Sequence, residues 1–183
     1  VLPKASKDSI DALNSISNKQ IIPIIETPMA VLKIEDIASS LNVKALLLGA
    51  EDLTKDLGVS RTTNGMEILY ARSKVIMTAA AYNIESIDTP FTDKDDDEGL
   101  VFDTLNAKGL GFTSKSSIHP NHVVAINKIF SPSDSEILHA KRIIKKSESS
   151  DKGAFSLDGK MIDLPVIQRA QKLLDKAKKY NLL

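Results

Sequence analysis

Cysteine is missing from all 183 residues. Its absence removes disulfide frameworks and thiolate zinc sites and fits a reducing compartment, so a cytoplasmic protein is expected. Net charge is missing too, because 24 Lys and Arg balance 24 Asp and Glu. No basic surplus points to nucleic acid, and no acidic bias points to disorder. No apolar stretch approaches the ~20 residues of a membrane helix, so no membrane partner is expected. The amino terminus, Val1-Leu2-Pro3-Lys4, has no signal-peptide pattern. It also lacks an initiator Met and starts inside what reads as a strand, so the chain is expected to be part of a longer protein. Gly-x-Gly-x-x-Gly and Walker sequences are absent, which removes the usual support for a nucleotide-binding open sheet.

What is present alternates. Val1 to Lys4 reads as the tail of a strand, and Ser6 can cap a helix through Ile10 and Leu13. Ile21 to Ile25, Val43 to Leu48 and Ile84 to Ile87 are apolar runs of strand length, and Gly111 to Thr113 begins a weaker fifth. Helices are expected from about Met29 to Leu41, from a cap at Asn64 through Ala79, and from Asp93 to Lys108 with an acidic first turn. Strands alternating with helices mean a parallel sheet with right-handed crossovers. Five strands allow a flavodoxin-like open sheet or the last five units of a (β/α)₈ barrel. Lys4, Glu26, Asp52, Asp88 and Lys115 all fall just after strands, and polar groups converging on one strand-end face favour the barrel.

After His119-Pro120 the alternation gives way to a helix, Asn121 to Phe130, and another beginning at Ser131-Pro132-Ser133. Ser147 to Gly153 reads as a polar linker. Ala154 to Ile162 reads as a hairpin turning at Asp158-Gly159, and Pro165 opens a last helix. Residues 1–130 are thus expected to form the barrel units. Residues 131–183 are expected to form an extension that packs on the barrel or on a neighbouring subunit.

Glu26, in Ile-Ile-Pro-Ile-Ile-Glu-Thr-Pro, and Asp52, in Leu-Gly-Ala-Glu-Asp-Leu, end consecutive strands. Two hard oxygen ligands on that edge suit Mg²⁺, which takes one or two carboxylates and fills its shell with water and substrate. Helix capping or a structural ion pair is the competing reading. For Asp88 the preferred reading is a hydrogen-bond anchor, for Arg72 a structural ion pair, and for His119 a structural group at a helix start. Lys4 and Lys115 could line the barrel mouth. The Asp93 to Glu98 cluster lacks EF-hand spacing and reads as a solvated helix start.

Seven segments together resemble the citrate lyase beta-subunit-like family, which includes malyl-CoA and citramalyl-CoA lyases. They are Leu-Pro-Lys (2–4), Ile-Ile-Glu-Thr (24–27), Leu-Gly-Ala-Glu-Asp-Leu (48–53), Leu-Tyr-Ala-Arg-Ser (69–73), Ile-Asp-Thr-Pro-Phe (87–91), Ile-His-Pro (118–120) and Asp-Gly-Lys-Met-Ile-Asp-Leu-Pro (158–165). The resemblance implies a TIM (β/α)₈ barrel, here lacking its first three βα units and an arginine they carry, with a C-terminal helical and hairpin extension. It implies Mg²⁺ held by Glu26 and Asp52, a CoA thioester as substrate, and a homotrimer or higher assembly. Asp163 matches an acid that reaches a neighbouring subunit's active site and would serve there as acid/base. The backbone of Gly49, Ala50 and Glu51 could hold a substrate carboxylate. His119 leans towards stand-alone CoA-thioester lyases, and Ser114 departs from a frequent Gly. The implied reaction is reversible cleavage of a 3-hydroxyacyl thioester into an acyl thioester and a 2-oxo acid. A 2-oxo acid aldolase without thioester and a non-catalytic subunit are the alternatives.

Overall fold

In the computed structural model, residues 1–149 and 154–183 are described. The chain divides into two compact units, Val1–Phe130 and Ser131–Leu183.

The first unit is built on four parallel strands. They are β1 (Ile24–Ile25), β2 (Ala45–Leu48), β3 (Glu85–Asp88) and β4 (Ser114–Lys115). Each lies beside its sequence neighbour, in the order β1-β2-β3-β4. Leu2 adds a parallel bridge to Pro23, so the amino-terminal segment flanks β1. This chain-order arrangement is the one a (β/α)₈ barrel uses, and it excludes the flavodoxin order. The register pairs Ile25 with Leu48 and Asp88 with Lys115, which aligns the carboxyl ends along one edge.

Strands are short, but their neighbours bury them. Ile25, Leu46 and Leu48 are wholly buried and pack with Ile10, Ile34, Ile37, Ile68, Val75 and Leu100 from the helices. Residues covered on both faces read as continuous apolar runs, which is why β1 and β2 have no polar alternation. Helix α1 (Lys7–Ile16) starts at Ser6, whose hydroxyl accepts from the Ser9 amide in a capping box.

Three helix expectations are corrected. The expected Met29 to Leu41 helix is two short ones, α2 (Pro28–Leu32) and α3 (Ile34–Ala38), because Lys33 leaves the helical region at φ −108°, ψ 25°. Asn64 does not cap a long helix directly. Its side chain accepts from the Met66 amide, and Gly65 turns left-handed at φ 64°. A 3₁₀ turn (Met66–Ile68) follows before α5 (Leu69–Ala81). Between β2 and that turn lies α4 (Ala50–Leu57). The acidic helix, α6 (Asp97–Leu110), begins four residues late because Asp96 caps it through the Gly99 amide. Helix α7 (Pro120–Phe130) closes the unit.

The second unit has its own small core. Ser133 and Glu136 form a capping box for α8 (Asp134–Glu148). Strands β5 (Phe155–Leu157) and β6 (Lys160–Ile162) form the expected antiparallel hairpin. Asp158 and Gly159 both have positive φ, as a tight primed turn requires. Ala140, Ile143, Ile162 and Ala170 pack between α8, the hairpin and α9 (Leu164–Lys179). Ser147 and Glu148, expected in the linker, complete α8, and linker residues 150–153 lie outside the described residues.

Candidate active site

Glu26 directly follows β1 and is only 7% exposed. Its Oε1 accepts a 2.6 Å hydrogen bond from the Lys4 amide. That amide is presented by a left-handed residue, since Lys4 has φ 45°. Lys4 itself is exposed on the rim of a cleft of about 350 Å³ that Thr27 also lines. Gly49, at the end of β2, faces the Glu26 side chain. A Cβ there would meet Glu26 Cβ at 2.6 Å, Glu26 Oε2 at 2.8 Å and Ile24 Cγ2 at 2.8 Å. Only glycine lets α4 begin this close to the carboxylate.

Asp52 occupies the first turn of α4, where the helix dipole favours a carboxylate. It is half-buried, and its side chain has no hydrogen-bond or ion-pair partner among the described residues. Glu51 points elsewhere, pairing with Arg61 Nη1 at 3.0 Å.

The amides of the Gly49–Asp52 segment are not equally free. Gly49 donates to the Ile25 carbonyl at 3.0 Å, and Ala50 donates to Thr89 Oγ1 at 3.2 Å. The expected use of Gly49 and Ala50 amides for a substrate carboxylate therefore does not fit, because structural bonds occupy both. Only the Glu51 and Asp52 amides lack acceptors among the described residues, and no side chain caps the helix. An uncapped helix start of this kind favours an anion.

Next to this edge lies a buried charge cluster. Arg72, from α5, forks onto Asp88 through Nε (3.0 Å) and Nη2 (2.9 Å), and its Nη2 also reaches Asp103 of α6 (2.7 Å). Lys115 Nζ donates to Asp88 Oδ2 (2.7 Å), Asp103 Oδ2 (2.6 Å) and the Thr89 carbonyl (2.6 Å). Two cations and two anions thus neutralise one another out of water. Burial alone would raise the Asp103 pKa, but Lys115 and then Arg72 outweigh it and hold the carboxyl below its usual value. Lys115 does not line a mouth, because its ammonium spends all three protons inside the cluster. Asp103 was not singled out from sequence. Its signal was an acid on the apolar face of α6, with Leu100, Thr104 and Ala107 buried beside it.

His119 Nδ1 accepts from the Asn121 amide at 3.3 Å, a helix-start role. His122, also unnoticed in the sequence, is buried with Nδ1 unpaired and its ring 5.9 Å from that of His119. In the second unit, Asp163 Oδ1 caps α9 through the Val166 amide at 3.3 Å. No group of three or more His, Asp or Glu side chains gathers around a possible metal position among the described residues. No helix among them is long and apolar enough to cross a membrane.

Residues 6–120 match the HpcH/HpaI aldolase/citrate lyase family. The citrate lyase subunit beta of Haemophilus influenzae is 34% identical over 163 residues, 87% of this chain and 56% of that protein. The mitochondrial citramalyl-CoA lyase of Rattus norvegicus is 32% identical over 166 residues, 84% of this chain and 49% of that protein. The chain thus spans about half the length of these curated relatives. Among solved structures, the CitE protein of Mycobacterium tuberculosis, in complex with magnesium, acetoacetate and coenzyme A, superposes with a TM-score of 0.77. It is 26% identical, and the match covers 93% of this chain and 73% of that one. On the extent of the family match and the identity to these relatives, the chain belongs to the HpcH/HpaI aldolase/citrate lyase family.

Proposed function

We propose that this chain carries the metal-binding edge of a Mg²⁺-dependent carbon–carbon lyase. Its reaction is cleavage or formation of a 3-hydroxyacyl thioester, of the citryl-, malyl- or citramalyl-CoA type, to an acyl thioester and a 2-oxo acid. The observation that carries this reading is the placement of Glu26 and Asp52 just past the carboxyl ends of two adjacent parallel strands, with Gly49 packed against Glu26. One carboxylate follows β1 and the other opens the helix after β2. The missing side chain at Gly49 lets the backbone at the start of α4 pass close beside Glu26 Oε2.

The donor set fits the ion. Both ligands are hard oxygens, Glu26 keeps one oxygen for Lys4 and one for a metal, and Asp52 has no competing partner. When bound, Mg²⁺ supplies Lewis-acid polarisation of the 2-oxo acid's carbonyl. The chain's own groups do the rest. Glu26 and Asp52 hold the ion, and the open Glu51 and Asp52 amides bind the oxo acid's carboxylate at the helix start. In cleavage the 3-hydroxyl proton leaves to solvent as its oxygen becomes the oxo acid's carbonyl. The electron pair of the broken C–C bond forms the thioester enolate, and Asp163 gives a proton to the enolate's α-carbon; condensation reverses these transfers.

In this reading the four-stranded sheet and the bridged segment at Leu2 supply five strand positions of a TIM barrel, and the other three βα units come from sequence outside this chain. The second unit of one subunit brings Asp163 to the Glu26 and Asp52 of another, in a trimer or larger ring in the cytoplasm. A thioester is favoured over a free 2-oxo acid aldolase because the relatives quoted above include a CoA-thioester lyase and the structural neighbour binds coenzyme A.

The test is turnover of malyl-CoA and citramalyl-CoA with Mg²⁺, in the polypeptide that completes the barrel. Glu26→Gln and Asp52→Asn should each lower kcat/KM on the order of 100-fold or more. Undiminished turnover in both variants would sink the assignment. Turnover of 4-hydroxy-2-oxo acids but of no thioester would favour the aldolase.

A further inference from the structure

We propose that Thr89 is a positioning residue for the metal edge, linking the buried charge cluster to the helix that carries Asp52. The proposal rests on the reading of Glu26 and Asp52 as metal ligands. Thr89 is the first residue after β3 and is wholly buried, as is Ala50. Its two oxygens face two different structures. The carbonyl accepts from Lys115 Nζ at 2.6 Å, inside the cluster formed with Asp88 and Asp103. The hydroxyl oxygen accepts from the Ala50 amide at 3.2 Å, at the first residue of α4.

The start of α4 has few other restraints. No side chain caps it. Its other ties are the Gly49 amide, which bonds the Ile25 carbonyl at the end of β1, and the ion pair of Glu51 with Arg61 at 3.0 Å. The first turn is therefore slung between β1 and the residue after β3. Gly49 sits within 2.8 Å, counted from a virtual Cβ, of Glu26 Oε2, so small rotations of this turn change the space beside that carboxylate. Asp52 lies two residues beyond Ala50 on the same turn. Losing the Thr89 tether frees the turn to pivot about Gly49, which alters the spacing of Asp52 and Glu26. The neutral cluster explains why Thr89 can bear this load. Asp88 precedes it in the chain, its carboxylate is clamped by Arg72 and Lys115, and its carbonyl accepts from both the amide and the hydroxyl of Ser116.

The test compares Thr89→Val, which keeps shape and loses the hydroxyl, with Thr89→Ser, which keeps the hydroxyl. The first readout is amide hydrogen exchange in the metal-free full chain. Ala50 exchange should quicken about fivefold or more in Thr89→Val, and Thr89→Ser should restore it, with amides of α5 and α6 unchanged. The second readout is Mn²⁺ affinity by calorimetry. It should weaken about fivefold in Thr89→Val and return to within about twofold of the parent in Thr89→Ser. Unchanged Ala50 exchange in Thr89→Val overturns the proposal, and so does faster exchange with unaltered Mn²⁺ affinity. If a folded parent that completes the barrel binds no Mn²⁺, the metal assignment falls, and Ala50 exchange alone decides whether Thr89 holds the turn.

Discussion

Lys115→Met should be among the most damaging single substitutions in the first unit. The lysine side chain is fully buried, and its ammonium lies 2.6–2.7 Å from Asp88 Oδ2, Asp103 Oδ2 and the Thr89 carbonyl. Methionine fills similar space but removes one of two positive charges facing two carboxylates. The cluster then carries a net negative charge out of water, with Arg72 as its only cation. Breaking a buried pair by deleting one partner costs about 3–5 kcal/mol. At roughly 2.1 cal/mol/K per residue, a unit of this size has an unfolding entropy of about 0.27 kcal/mol/K, so Tm should drop by roughly 11–18 °C. Circular dichroism melts of parent and variant measure this.

The pH dependence supplies the sign. Asp103 has a depressed folded pKa, so its contribution is complete above the unfolded value, about 3.9, and is lost as pH falls through the lower folded value. Without Lys115 that depression shrinks. The gap between parent and variant should therefore be widest near neutral pH and narrow below about pH 4. Adding Asp103→Asn to Lys115→Met should recover part of the loss, because it removes the uncompensated charge. A Tm change under about 3 °C, or a gap that widens on acidification, would refute the assignment of this cluster as a neutralised buried network.

Two further substitutions probe the site from either side. Gly49→Ala puts a methyl 2.6 Å from Glu26 Cβ; it should cost about 1–3 kcal/mol in denaturant unfolding and weaken Mn²⁺ binding in the same protein. Asp163 has two separable roles, because Asn caps a helix as well as Asp does. Asp163→Ala should lower the stability of the second unit by about 1 kcal/mol, whereas Asp163→Asn should leave melting unchanged and abolish thioester turnover.

Much of this arrangement is written locally in the chain. The run Ala45–Leu48 is legible because both of its faces are covered, and Ser6, Ser133 and Asp158-Gly159 are legible because capping and turn chemistry act over three or four residues. Glu26 and Asp52 stand out because they end such runs. What escaped the sequence depends on distant partners. Asp103 meets Lys115 twelve residues away and Arg72 thirty-one residues away, and helical periodicity alone treats a polar side chain as solvated. The claims on the Gly49 and Ala50 amides come from Ile25 and from Thr89, which is 39 positions beyond Ala50, so no local pattern separates them from the open amides of Glu51 and Asp52. The break at Lys33 carries no Gly or Pro to mark it.

Calorimetric titration of Mg²⁺ and Mn²⁺ into the chain, with Glu26→Gln and Asp52→Asn alongside, probes the two-carboxylate edge most directly. One site is expected in the parent, with each variant losing it while retaining the parent's cooperative melt. Identical binding in the parent and both variants, or no binding in a folded parent that completes the barrel, would contradict the assignment of Glu26 and Asp52 as the metal ligands.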